Sequence, residues 1–364
     1  MIDVNEALLL LAHVVEPNDE RMQLFIEHVG PIEAIEAIRR GSIPKREPEG
    51  LQARLREFSF RAALRELDQS SARLIFRDSP EWPSQLNDLR HERPFVLWVV
   101  GSPDLRLAAV RSLSIVGARD CTPYGSFVAR DWSSRFSDRN WVVVSGGALG
   151  IDGSAHQGVL SVGGITVCVL ACGVDVAYPR AHESLFANIA DTGLLVSESP
   201  PGSSALRQRF LSRNRVIAAL SRGTVVVEAG KRSGTTSTAN FVNRLNRPLF
   251  AVPGAVTSPA SAGCHQLINE GKAILASDWQ EVVELLGDQQ LTSSLDIDVA
   301  RPIDRLTPMQ KQVLDAVPLR LGKPADVLMV STGLSLREVL GALGVLEVEG
   351  FVRQEGQLWR LVRA

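Results

Sequence analysis

Cysteine is scarce in this chain, with four in 364 residues, at positions 121, 168, 172 and 264. They are too scattered for a disulfide framework, and no second Cys/His pair stands at zinc-ligand spacing, so neither a stapled scaffold nor a metal site is indicated. Cys168 and Cys172 lie in TVCVLACG and read as small apolar residues on a buried strand and the turn after it. Long hydrophobic runs are missing too. The opening MIDVNEALLLLAHVVEPNDE starts with acids, lacks a basic segment before its short apolar run, and gives no membrane span or signal peptide. A cytosolic protein without membrane contact is the expectation. No G-x-G-x-x-G with an acid about twenty residues on, and no Gly-Lys-Ser/Thr loop, is present, so NAD and ATP readings lack support and no cofactor is expected. Nor is there an overall positive charge, since the formal net charge is −2.

What is present is a charge concentrated in one place. Between Pro201 and Phe250 stand nine cations (Arg207, Arg209, Arg213, Arg215, Arg222, Lys231, Arg232, Arg244, Arg247) and one acid, Glu228. That window nets +8, so with −2 overall the remainder carries −10. A positive face on a slightly acidic protein attracts a polyanion to one side without general stickiness.

At 39.6 kDa the chain implies two or three domains, and 45% hydrophobic with 22% charged residues is the balance of an ordinary globular protein. Residues 1–70 read as a small helical domain: NEALLLLAHVV, ERMQLFIEHVG and IEAIEAIRRG, with Gly30-Pro31 and Gly41 as stops. Nine bases against eleven acids in residues 1–65 make it a packing or partner module by default. Residues 71–286 alternate strand and helix. Expected strands are Ser112–Val116, Trp141–Ser145, Thr166–Leu170, Leu194–Ser197, Thr224–Glu228 and Leu249–Val252; expected helices are Tyr124–Phe136, Asp152–Val162, His182–Ala190 and Thr235–Leu245. Strands apolar throughout suit a sheet covered on both faces, so the fold class is α/β: a doubly wound, Rossmann-like, mostly parallel sheet with ligands at the strands' carboxyl ends. Residues 287–304 are polar and aperiodic, a linker. In residues 305–364, Thr307 with Pro308 opens a helix, a second spans Pro324–Met329, Ser335 caps a third, and Phe351–Val352 with Leu358–Leu361 form a hairpin. Three helices and a hairpin describe a winged helix, which binds DNA or protein.

Four loops at expected strand ends bear on chemistry. In SIVGARDCTPYG, Gly117 and Arg119 follow a strand; Arg119 is either a cation at the ligand edge or a solvated residue. In VVVSGGALGIDGSAHQG, Gly146, Gly147 and Gly150 follow a strand and open a helix, which lets backbone amides approach a phosphate. Asp152 and His156 are i, i+4 neighbours there, an acid/base pair or a structural first-turn pair. In QRFLSRNRVIAALS, Ser212 as a cap would put Arg213, Asn214 and Arg215 in a first helical turn, where a bound anion would relieve the unfavourable cations. In VVVEAGKRSGTTSTANF, Lys231, Arg232, Ser233, Gly234 and Thr235 combine two cations, two hydroxyls and a flexible glycine between strand and helix, either a phosphate cradle or a capped helix with an exposed lysine.

These segments resemble the DNA-processing protein A (DprA/Smf) family of bacterial transformation. The motifs are SIVGAR (114–119), SGGALGID…AH (145–156), VLACGVDVAYPRAHESLF (169–186), SE (197–198), F…RNRVIAALS (210–221), VVEA..RSG (226–234) and AVPG…G…LI..G (251–271), in family order over residues 70–285. The resemblance implies a non-catalytic platform that binds and protects single-stranded DNA, helps load the recombinase RecA, and works as a dimer, with the single-strand DNA-binding protein as a further partner. By position it gives DNA-facing roles to Arg119, Arg213, Arg215 and Arg232, with Ser145, Gly146, Ser233 and Gly234 around them, and places Gly263–Lys272 near the self-association and RecA face. Leu149 replaces the family Arg, Leu211 a Pro, and His265 and Lys272 an Asn and an Ala, so weaker or redistributed binding is expected. No aromatic adjoins Gly234 for base stacking, and Phe210 is the nearest candidate. Two rivals stand beside this reading. One is a nucleotide hydrolase using Asp152, His156 or Glu228; the other is a winged-helix transcription regulator.

Overall fold

The computed structural model describes residues 2–44, 47–231, 234–287, 306–318 and 322–362. The chain forms two compact units, Met1–Asp288 and Gln289–Ala364. The first is built on nine strands: β1 (Arg73–Phe76), β2 (Val96–Val100), β3 (Ser112–Val116), β4 (Val142–Ser145), β5 (Thr166–Val169), β6 (Leu194–Ser197), β7 (Thr224–Val226), β8 (Leu249–Ala251) and β9 (Ile274–Leu275). Their order across the sheet is β1-β2-β6-β5-β4-β3-β7-β8-β9. From β6 to β9 every pairing is parallel; β1 and β2 extend the edge antiparallel. The mostly parallel α/β sheet expected from the sequence is therefore present. Because β3 pairs with both β4 and β7, the strand order reverses there, and loops on either side splay apart into a crevice.

Local sequence explains the elements around that point. All five residues of β3 (SLSIV) are buried, as a strand covered on both faces requires. The next helix, Pro123–Asp138, takes Thr122 as its N-cap, with the hydroxyl accepting the Gly125 N–H at 3.2 Å, and Pro123 at its first position. The helix Ile151–Ser161 is entered through Gly150 at φ 80°, where a Cβ would collide with the Ala118 carbonyl, so no other residue fits.

Among the described residues, five helices (Val4–Val14, Glu20–Val29, Pro31–Arg40, Glu49–Glu57, Phe60–Gln69) precede the sheet, two more than the apolar periodicity suggests. Alternation along β2 joins them to it. Val96 and Trp98 pack with Leu8, Leu11, Met22, Ile35 and Ile38 of the helices, while Leu97 and Val99 point into the main core with Val144, Val167 and Val196. Trp98 also meets the His13 ring edge-on at 5.6 Å.

In the second unit, helices Pro308–Ala316, Ala325–Thr332 and Leu336–Val348 pack with a three-stranded antiparallel sheet ordered β10 (Lys323–Pro324), β12 (Leu358–Leu361), β11 (Val352–Glu355). Thr307 and Ser335 cap their helices as their positions predict, each with a reciprocal acid or amide, Gln310 and Glu338. The core is Val313, Leu328, Val339, Leu343, Leu346 and Trp359. The second helix starts one residue later than expected because Pro324 is taken up by pairing with Leu358. Residues 288–304 of the expected linker lie outside the described residues.

Trp98→Ala should destabilise the protein by about 3–5 kcal/mol in urea denaturation, since it empties the joint between helices and sheet. A loss under about 1 kcal/mol would show that the joint contributes little.

Candidate nucleic-acid interface

At the reversal of strand order the tips of β3 and β4 and the helix Arg207–Leu220 enclose a cleft of roughly 700 Å³. Its lining includes Gly117, Arg119, Asp120, Asp152, Tyr178, Arg207, Phe210, Arg213, Asn214 and Gly234. An aromatic platform stands within it. The Phe210 ring has the Arg119 guanidinium at 4.9 Å, that of Arg213 at 6.0 Å, and the Tyr178 ring at 5.5 Å in a tilted pair. Arg119, Arg207 and Tyr178 are exposed, so cations and one aromatic face remain available to a ligand.

The cleft thus brings together Gly117, Arg119, Phe210, Arg213, Asn214 and Gly234 of the residues singled out from the sequence. Ser145 is fully buried and its hydroxyl donates to the Ile115 carbonyl at 2.6 Å, so it holds two strands together. Gly146 and Gly147 shape the loop floor: Gly146 lies against the Arg213 guanidinium, and Gly147, at φ 69°, against Cys168 and Phe186. Lys231 is exposed after β7; Arg232 and Ser233 lie outside the described residues.

The expected cap at Ser212 is corrected. The helix begins at Arg207 behind Leu206 with no side-chain cap, so Arg213 and Arg215 sit in its middle. Its first two turns carry no apolar period to mark the start, which is why Ser212 looks like a beginning. Nor does Arg215 face a ligand. It is 0% exposed, paired with both Glu198 oxygens and donating to the Glu92 and Ser212 carbonyls, so its guanidinium is a structural clamp. Arg213 is also buried, donating to the carbonyls of Gly146 (2.6 Å) and Val169 at the cleft floor.

The wider positive window divides in the same way. Arg209 pairs with Glu16 (2.9 Å), Arg244 with Glu92 and Arg247 with Asp88 (2.8 Å). Arg222, Arg244 and Arg247 precede β7 or β8 and so stand at the strands' amino ends, away from the cleft. Much of the linear charge cluster is therefore used up in holding the fold. Sequence reasoning missed Tyr178 and Arg207 as cleft residues; the Tyr-Pro-Arg within the quoted 169–186 segment was the available signal for the former.

The acid/base candidates do not converge. The Asp152 carboxylate accepts the Gly146 N–H at 3.2 Å and the Ala148 N–H at 3.5 Å. Burial pushes its carboxyl up, opposed by Arg213 and those amides. Glu228 accepts the Thr122 N–H (2.8 Å) and hydroxyl (2.6 Å). His156 is fully buried with Nδ1 at 2.8 Å from the Thr166 hydroxyl. Burial, with His182 and Arg213 nearby, pulls it down to about 3. Each is committed to a different piece of backbone or core, which removes support from the hydrolase reading.

A motif model described as DNA recombination-mediator protein A matches residues 73–287, the sheet and its cleft. This chain belongs to that family. A DNA processing protein DprA of Mycobacterium tuberculosis is 41% identical over 381 residues, spanning 100% of this chain and 96% of the relative. Among solved structures, DprA of Streptococcus pneumoniae matches with a TM-score of 0.66 at 29% identity over 78% of this chain and 98% of its own. DprA of Helicobacter pylori, described for its single-stranded DNA binding mode, matches with a TM-score of 0.53 at 28% identity over 60% and 97%. Among the described residues of this DprA-family chain, no single helix is long and apolar enough to cross a membrane.

Because His156 is neutral in the fold but protonates below its ordinary 6.5 when unfolded, the unfolded state binds the extra proton between pH 6.5 and about 3. Its contribution is complete above 6.5 and is lost as pH falls, by up to roughly 1.4 kcal/mol per pH unit in that window. His156→Asn should flatten this part of the stability–pH curve in urea titrations; an unchanged slope would refute a neutral buried His156.

Proposed function

We propose that the cleft holds single-stranded DNA, as the working surface of a non-catalytic recombination mediator that protects the strand and helps load RecA. The observation that carries this is the Phe210–Tyr178 pair set among Arg119, Arg207 and Arg213 at the switch point of the sheet. Aromatic faces accept any unpaired base, and flanking cations follow the backbone; duplex DNA hides the faces that this platform would stack. The single-stranded DNA binding of the Helicobacter pylori relative supports the same assignment. Lys231 extends the cationic side past β7.

The finer assignments have separate supports. Ile274 and Leu275 are 46% and 47% exposed on the edge strand β9, which favours pairing of two copies. Three helices with a β-hairpin support a winged helix for residues 305–364, and net +2 over residues 301–364 leaves it a modest electrostatic pull. The acidic helical segment 1–70 is assigned a packing and partner role. We place the protein in the cytoplasm, with RecA and the single-strand DNA-binding protein as partners.

Phe210→Ala should weaken binding of labelled oligo-dT by roughly 5- to 100-fold, the span of one base stack. Arg119→Ala and Arg207→Ala should each weaken it several-fold. Arg215→Ala should instead cost about 3–5 kcal/mol of stability, by leaving Glu198 unpaired, with affinity of the folded fraction unchanged. Oligo-dT affinity within twofold of wild type for Phe210→Ala, or equal affinity for duplex, would contradict the assignment.

A further inference from the structure

The glycine-rich loop after β4 has the parts of a phosphate cradle: two backbone N–H groups, an entering helix and a buried guanidinium. Yet the cradle is filled from within. The N–H groups of Gly146 and Ala148 both point to one oxygen of Asp152, and the Arg213 guanidinium, which lines the same floor, is attracted to that carboxylate. Asp152 is itself 6% exposed and lines the cleft together with Ala148, whose N–H it accepts. The neighbouring helix repeats the arrangement. Glu228, two residues beyond β7, takes the N–H and hydroxyl of Thr122 at the start of Pro123–Asp138, and Gly125 is required there because a Cβ would overlap the carboxylate. An acid at each helix start satisfies amides that an external anion would otherwise take.

We infer that Asp152 is a specificity-determining residue: its carboxylate occupies the position of a phosphate in the β4 loop, so the cleft refuses free phosphate and mononucleotides. A mononucleotide depends on one tightly held phosphate. A strand instead spreads many weaker contacts over Arg119, Arg207 and the aromatic pair, and loses little from the closed cradle. The strand half of this statement rests on the proposed single-strand binding, whereas the phosphate half stands without it. Removing the carboxylate would leave two unpaired amides and a buried Arg213 without its counter-charge, and Arg213 Nε already has no hydrogen-bond partner.

The test measures pyrophosphate, dTMP and oligo-dT binding to wild type, Asp152→Ala and Asp152→Asn by calorimetry. Wild type should show no saturable pyrophosphate or dTMP binding at low millimolar ligand. Asp152→Ala should bind both at least about tenfold tighter, the worth of one charge-assisted contact set. Should Asp152→Ala not fold, Asp152→Asn, which keeps the side-chain shape but removes the negative charge that repels an anion, should still gain pyrophosphate binding and a rise in melting temperature with added pyrophosphate. A folded variant of either kind that binds pyrophosphate no better than wild type would overturn the inference, as would wild type binding dTMP as tightly as the variants. Loss of oligo-dT binding by wild type would instead overturn the strand reading and leave the phosphate arms interpretable.

Discussion

The buried guanidinium of Arg213 is the interaction on which the cleft depends. It reaches from the middle of Arg207–Leu220 to the carbonyls of Gly146 and Val169, so one side chain fixes the tips of β4 and β5 to the helix that carries Phe210 and Asn214. Burial pushes that guanidinium down from its usual range, and Asp152 opposes the effect. The same aspartate closes the glycine loop. Positive charge, loop shape and helix position are thus set by one cation and one carboxylate in a low-dielectric floor, where such contacts are strong and their loss is costly.

This arrangement separates two jobs that look alike in sequence. Arg209, Arg215, Arg244 and Arg247 pair with Glu16, Glu198, Glu92 and Asp88 and tie together segments of the first unit that are distant in sequence or lie on different elements. Arg119, Arg207 and Lys231 remain free for solvent or ligand, with no ion-pair partner shown among the described residues. The +8 of residues 201–250 is therefore largely internal, and the acidic balance of the remainder is partly its counter-charge. Recognition falls to fewer cations, arranged around an aromatic pair.

The sheet was readable because its parallel strands are short apolar runs buried on both faces; five of the six expected strands from Ser112 to Val252 agree with the observed ends to within a residue, and β7 stops two residues short. The pairs β1–β2 and the edge β9 were not, since no crossover helix marks the first and β9 is only Ile274–Leu275. Capping by Thr307 and Ser335 was legible because it is local. What could not be read is which charges meet. Arg215 and Glu198 are 17 residues apart, Arg209 and Glu16 are 193 apart, and only the folded chain decides whether an arginine faces a phosphate or a carboxylate. Tyr178 joined the site for the same reason: it reaches Phe210 across the cleft, from a loop more than thirty residues upstream.

The most direct test is the salt dependence of oligo-dT affinity. With three or four cations available at the cleft, log K should fall with log salt at a slope between about −2 and −3, at roughly 0.7 per phosphate neutralised. A slope of about −5 or steeper would mean that most of the eight-charge excess faces the strand, and would contradict an account in which ion pairs consume it.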